Sequence, residues 1–181
     1  MAILNIPMTW ITPAGLNITQ HYVRSIKNSV ELRFWGKVRK IILREWTNKM
    51  DKKKQSQAII PNIIHSLDAT HLINLINYVD DQNFMPVVTV HDCFGNLPNK
   101  TVELEYLVKK EFILLYTQDQ FLERFHQRII ETIKDNQYNL IEDDNNNYII
   151  YHNKKLVIPK TTPKLGKLDL QKITDSKHMI T

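Results

Sequence analysis

The feature that most restricts the fold is a five-residue run, Pro86-Val87-Val88-Thr89-Val90, that stops abruptly at His91-Asp92. β-Branched side chains crowd a helix and fit a pleated surface, so the run reads as a short buried strand. Cys93-Phe94-Gly95-Asn96-Leu97-Pro98 then offers a return strand and a turn. The expectation is a hairpin over about residues 86–97, with His91 and Asp92 at or near its tip. Helical patterns flank it. Upstream, Ile64, Leu67, Leu72, Leu75 and Ile76 recur at helical spacing and predict a helix over residues 61–79. Pro61 suits its first turn, where a missing N–H would be unpaired anyway. Downstream, paired helices are expected over 101–134, with Thr101 as N-cap and Glu103 and Glu105 in the first turn. The fold class is therefore α+β.

The remaining segments are less regular. Residues 1–18 hold short apolar clusters split by Pro7, Pro13 and Gly15, and Thr12-Pro13-Ala14-Gly15 reads as a turn between short strands or loops. Val30, Leu32 and Phe34 alternate with Glu31 and Arg33, which is strand periodicity; Trp35-Gly36 bends the chain and Lys37 to Trp46 extends a second strand. A strand pair near 28–46 follows. Asp143 to Asn147 is a polar loop or insert, and Tyr148 to Ile158 forms a strand or hairpin. The division is one region over 1–134, a loop or insert with a possible hairpin over 135–158, and a tail over 159–181.

Composition removes several function classes. No run of ~18 apolar residues occurs, which excludes a transmembrane helix, and no membrane partner is expected. The single cysteine, Cys93, excludes a disulfide scaffold and a cysteine-rich zinc site. Four glycines in 181 residues leave no phosphate-binding GxGxxG or GxxxxGK loop. The net charge of +5 permits a polyanionic partner without establishing one. The 23 Ile, 16 Asn and 18 Lys against 6 Arg point to an AT-rich genome, and the first residues carry no basic amphipathic stretch or signal-peptide core. Together they suggest an organelle-encoded protein without a presequence.

Three places have chemical potential. Asp92, between two short strands, offers the hard oxygen that Mg²⁺ prefers, but Asp also favours turns for its own sake. Two-metal nucleotidyl transfer needs at least two converging carboxylates. His65 and Asp68 share a helix face at i, i+3, whereas His71 is rotated away from His65; a local hydrogen bond competes there with metal ligation. The basic stretch Lys49 to Lys54, preceded by Arg39, Lys40 and Arg44, suits phosphate contacts or simply a solvated loop.

These segments occur in an order that resembles the C-terminal part of single-subunit, bacteriophage-type DNA-directed RNA polymerases, the group that includes mitochondrial and mitochondrial-plasmid enzymes. Trp10-Ile11-Thr12-Pro13-Ala14-Gly15, followed by Gln20 and Tyr22, is similar to the family's W-x-T-P-x-G…Q-x-Y. Asp51, Lys54 and Gln55 resemble D-x-x-K-Q, and Pro61 to His71 resembles P-N-x-x-H-S-x-D-x-x-H. Val90 to Gly95 is similar to the palm's motif C, and Leu168-Asp169-Leu170 with Ser176 to Thr181 resembles the family's end.

The resemblance implies a right-hand palm fragment whose motif C hairpin packs with several helices. It implies that Asp92 is the catalytic, Mg²⁺-binding aspartate. It implies that His65, His91, Lys54 and Asn62 contact nucleic acid, with DNA template, RNA product and ribonucleoside triphosphates as partners. The family's second metal-binding aspartate sits in D-x-x-x-G-x-Q-H, and its fingers carry R-x-x-x-K…Y-G. Neither pattern occurs here. The expectation is a piece that begins inside a catalytic domain, is inactive alone, shares Mg²⁺ with an Asp outside it, and has an upstream polymerase fragment as its partner. Residues 1–18 would then expose apolar surface that other segments cover. The alternatives are a non-enzymatic remnant or nucleic-acid-binding module, and an HD-type metal phosphohydrolase. The last is disfavoured because its HD pair belongs on a helix.

Overall fold

The computed structural model describes residues 1–81, 85–91, 93–118, 120–143 and 146–176. Among them are nine strands in four small antiparallel sheets and three α-helices, so the α+β expectation holds. Strands β1 (Met8–Ile11) and β2 (Asn17–Gln20) pair across the predicted turn. Gly15, at φ 84°, adopts the left-handed backbone that closes it, its N–H donating to Thr12 O at 2.9 Å.

Strands β3 (Val23–Phe34) and β4 (Lys37–Met50) form a long ribbon, extending beyond the expected 28–46 at both ends. Trp35 and Gly36 connect them at φ 44° and 75°. Two consecutive positive φ values are the requirement of the type I′ turn, whose twist matches paired strands. Every residue from Ile26 to Trp46 is exposed.

Helix α1 spans Lys52–Asp81, not 61–79. Asp51 starts it: its Oδ1 accepts the Lys54 N–H at 3.1 Å, and its carbonyl accepts the Gln55 N–H at 2.9 Å. That is N-cap geometry, supplied by the residue that immediately follows the ribbon. Pro61 therefore lies inside the helix, where its missing N–H costs one backbone bond without ending it. The basic Lys52 to Lys54 belongs to the first turn of α1 rather than to a loop.

The expected hairpin is present but short, and its first strand is not buried as expected: β5 (Val88–Val90) pairs with β6 (Cys93–Gly95), with Val90 opposite Cys93, while Val88 and Val90 turn their side chains to solvent. A 3₁₀ turn at Pro98–Lys100 leads into α2 (Thr101–Gln118). Thr101 is already helical, at φ −62° and ψ −42°, and so does not cap α2. Helix α3 (Phe121–Asp135) completes the predicted pair. Strands β7 (Ile141–Glu142), β8 (Asn146–Tyr151) and β9 (Lys154–Pro159) make a three-stranded sheet, and a 3₁₀ turn at Leu170–Ile173 lies on the tail.

Two apolar cores organise these pieces. One joins Leu75 and Val79 of α1 to Met85 and to Leu104, Leu107 and Val108 of α2, with Phe94 of β6 packed against it. The other joins Leu4 and Ile6 to Ile133 of α3 and Ile149 of β8. The first segment is thus better supported than its sequence implied. Leu4 and Ile6 are buried against α3 and β8, and Trp10 is buried beside Phe125 of α3 and Ser66 of α1, although Ile3, Ile11 and Leu16 remain exposed. The large apolar exposure lies on the ribbon instead.

Candidate functional site

Three distant segments meet on one side of α1. Trp10 of β1 is buried, with its Nε1–H donating to Ser66 Oγ at 3.0 Å. Ser66 Oγ in turn donates to Ile63 O at 2.7 Å, so one hydroxyl satisfies the indole and is itself anchored. Gln20 at the end of β2 and Gln55 on α1 form a buried reciprocal pair. Gln20 Nε2 donates to Gln55 Oε1 at 2.8 Å and to Gln55 O at 2.9 Å, and Gln55 Nε2 donates to Gln20 O at 2.9 Å. Asn62 Nδ2 then donates to Gln20 Oε1 at 2.8 Å and to Tyr22 Oη at 3.3 Å. Lys54 Nζ stands 4.5 Å from the centre of the Tyr22 ring, within cation–π range.

Buried amides that satisfy one another are rigid, because any rotation leaves a polar atom unpaired. The network therefore fixes the wall of an open cavity of about 420 Å³ lined by Trp10, Gln20, Tyr22, Asn62, His65 and Ser66 among others. Of the four residues expected to contact nucleic acid, the structure brings Asn62, His65 and Lys54 to or beside this one place. Among the hydrogen bonds of the described residues, none joins His65 to Asp68. His91 does not line the cavity; it follows β5 with φ 55°, a left-handed conformation at the hairpin end. Asp92, the residue on which most of the expected chemistry falls, lies outside the described residues. Among the described residues no group of three or more His, Cys, Asp or Glu side chains is placed to hold a metal ion.

His71 has a role that its sequence position did not announce. Its Nε2–H donates to Val108 O of α2 at 2.9 Å. Its ring meets Phe94 of β6 and Phe112 of α2 edge to face, at 6.2 and 5.7 Å between centroids. Rotation away from His65 is what allows this, since the opposite side of α1 faces α2 and the hairpin. Next to it, Tyr116 packs on Phe112 at 4.7 Å, and burial together with the Asp68 carboxylate raises its phenol above the ordinary value. Trp10, Gln20, Tyr22 and Gln55 were visible in the sequence only as pieces of separate motifs. Their spacing along the chain gives no hint that they touch.

The class of protein defined by this arrangement is an α+β chain in which a short hairpin and a polar, motif-lined cavity share one long helix. The family model for DNA-dependent RNA polymerase matches residues 2–181, and the chain belongs to that family. It is 36% identical over 183 residues to a probable DNA-directed RNA polymerase of Gelasinospora sp. (strain G114), covering 98% of this chain and 21% of the relative. It is 29% identical over 184 residues to the mitochondrial DNA-directed RNA polymerase of Schizosaccharomyces pombe, covering 97% of this chain and 15% of the relative. It is 26% identical over 131 residues to T7 RNA polymerase of Escherichia phage T7, covering 71% of this chain and 15% of the relative. The chain thus spans about a fifth or less of the length of these relatives.

Proposed function

We propose that these residues form the palm-side, C-terminal portion of a DNA-directed RNA polymerase that engages template DNA through the β3–β4 ribbon and the adjoining cavity. The observation that carries the nucleic-acid reading is the charge of the ribbon. Residues 23–50 hold Arg24, Lys27, Arg33, Lys37, Arg39, Lys40, Arg44 and Lys49 against Glu31 and Glu45, a net +6. The whole chain is +5, so everything outside the ribbon sums to −1. Lys27 and Arg44 are direct cross-strand partners, with no acid opposite either of them. Like charges so placed weaken a sheet, and a polyanion laid along that face would relieve the repulsion. A two-stranded ribbon is also of a size that enters a major groove.

In this reading β5 and β6 form the motif C hairpin, and Asp92 would hold Mg²⁺ as one hard oxygen ligand. His91 beside it, with His65, Asn62 and Lys54 at the cavity, would contact nucleic acid. Mg²⁺, when bound, would supply charge neutralisation at the triphosphate. What this chain's residues supply is support: the apolar core under Phe94 and the His71 bridge fix the hairpin that carries Asp92. A second carboxylate and the fingers Lys and Tyr-Gly have no match within residues 1–181, so catalysis requires residues from an upstream polymerase part. Residues 1–134 would be the palm region, 135–158 an insert and 159–181 the tail. The composition and the fungal relatives favour a mitochondrial setting.

The test has two arms. Labelled duplex DNA should bind the chain with an affinity that falls steeply with salt. Replacing Lys27→Glu and Arg44→Glu should flatten the salt slope by about two phosphate contacts. Primer-templated RNA extension with Mg²⁺ should occur only when an upstream polymerase fragment is added, and Asp92→Ala should abolish it. Extension by the chain alone would overturn the requirement for outside residues. Salt-independent binding untouched by the charge reversals would overturn the ribbon reading.

A further inference from the structure

We infer that Trp35, at the ribbon tip, is a stacking platform for an unpaired nucleobase; the inference rests on the reading of the ribbon as a DNA contact. Trp35 is 98% exposed, so the indole contributes nothing to the packing of this chain. It also occupies the wrong place for a bulky residue. Its φ of 44° lies in the left-handed region, where the first turn position of such a hairpin normally takes Asn, Asp or Gly. Both the fold and solubility would be better served by a small polar residue. An outlier that the structure itself does not need points to a contact made elsewhere.

The surroundings specify the occupant. Phe34, 66% exposed, precedes Trp35, so two aromatic residues adjoin at the tip. Lys37 is the cross-strand partner of Phe34, and Arg33 is the partner of Val38, which places a cation on each strand next to the aromatic pair. Aromatic faces flanked by cations match a base with its phosphates: the ring takes the π-face and the cations take the backbone. Such a platform cannot reach the face of a base inside an intact duplex. It takes a base that has left the stack, while the cations farther down the ribbon hold the paired duplex.

The experiment uses the full chain and two DNA probes. One is a fully paired, fluorescein-labelled duplex; the other is the same duplex with a short unpaired bubble containing 2-aminopurine. The wild type should bind the bubble about ten-fold more tightly and quench the 2-aminopurine. Trp35→Asn, which suits the turn and so preserves the ribbon, should lose both the preference and the quenching while its affinity for the paired duplex is unchanged. Trp35→Phe should retain part of both. A Trp35→Asn variant with wild-type preference and quenching would overturn the inference, as would a wild type indifferent to the bubble. If paired-duplex binding also survives Lys27→Glu with Arg44→Glu, the ribbon reading itself fails. If that binding is lost on charge reversal while Trp35→Asn behaves as wild type, only the stacking inference fails.

Discussion

The β3–β4 ribbon and the β5–β6 hairpin are built alike and held differently. Each is two antiparallel strands with a tight connection. The short hairpin turns Thr89 and Phe94, which face each other across it, toward the protein, and Phe94 joins the core of α1 and α2. Among the described residues, the long ribbon is tethered at its base. Asn5 Oδ1 accepts the Met50 N–H at 2.8 Å, Asn5 Nδ2 donates to Asn48 O at 3.2 Å, and the Asp51 N–H donates to Tyr22 O at 2.9 Å. A hairpin with no third strand or helix on it is marginal in water. On the proposed reading, the difference separates a packed carrier, which would hold one side chain in place, from a probe, which would reach a partner and be completed by it.

The largest test of that contrast compares apolar truncations in the two regions. Leu75 is fully buried in the core beneath the hairpin, so Leu75→Ala should lose about 2–5 kcal/mol of stability by removing contacts and leaving a cavity. Ile41, on the ribbon and 44% exposed, should cost no more than about 0.5 kcal/mol when replaced by Ala. Urea denaturation of the two variants measures both. Equal losses would mean that the ribbon is covered in the folded protein, and the contrast would collapse.

A smaller effect is expected at the bridge between hairpin and helices. His71→Ala removes the hydrogen bond to Val108 O and two edge-to-face ring contacts, a loss of about 1–3 kcal/mol. Amide exchange should speed up in β5 and β6 and remain unchanged in β3 and β4. His71→Gln retains a donor but not the ring, so it should fall between wild type and Ala. Uniform acceleration across both hairpins would show that the histidine serves global stability rather than the carrier.

The sequence was legible where one local rule acted alone. The β-branched run at Pro86 to Val90 reads as a strand, and the alternation at Val30 to Phe34 does too, because period two has no competing explanation there. The start of α1 is ambiguous in the sequence because two local signals conflict. Pro61 suits a first turn, whereas the actual cap, Asp51, lies in a basic stretch that suits a loop equally well. The Gln20–Gln55–Asn62 network was not legible at all, since it depends on β2 and α1 meeting across 35 residues or more. Exposure of the ribbon was equally hidden: Ile41-Ile42-Leu43 resembles a buried strand by composition, yet all three side chains are exposed.

Asp51 sits where the probe ends and the supporting helix begins, so its removal tests whether the two are coupled. Asp51→Ala should cost about 1 kcal/mol through loss of the N-cap, with faster amide exchange over Lys54 and Gln55. If the regions behave separately, ribbon binding to duplex DNA should change less than two-fold. A loss of binding beyond that would make the cap part of the ribbon's anchor.

The smallest expected effect is confined to alkaline pH and to the α1–α2 contact beneath the hairpin. Tyr116 is partly covered, and that partial burial and the nearby Asp68 charge both disfavour its phenolate in the folded state, so its pKa is raised. In the unfolded chain the phenol ionises first, near its ordinary value of about 10. The folded state therefore carries no penalty below that pH and loses stability as pH rises from about 10 through the raised value. Tyr116→Phe should flatten this alkaline decline, and Asp68→Asn should flatten it in part, since burial persists without the charge. Stability measured between pH 8 and pH 11 for the three proteins decides the matter. Identical slopes would mean that neither the partial burial of Tyr116, which is 40% exposed, nor the Asp68 charge bears on the folded state at high pH.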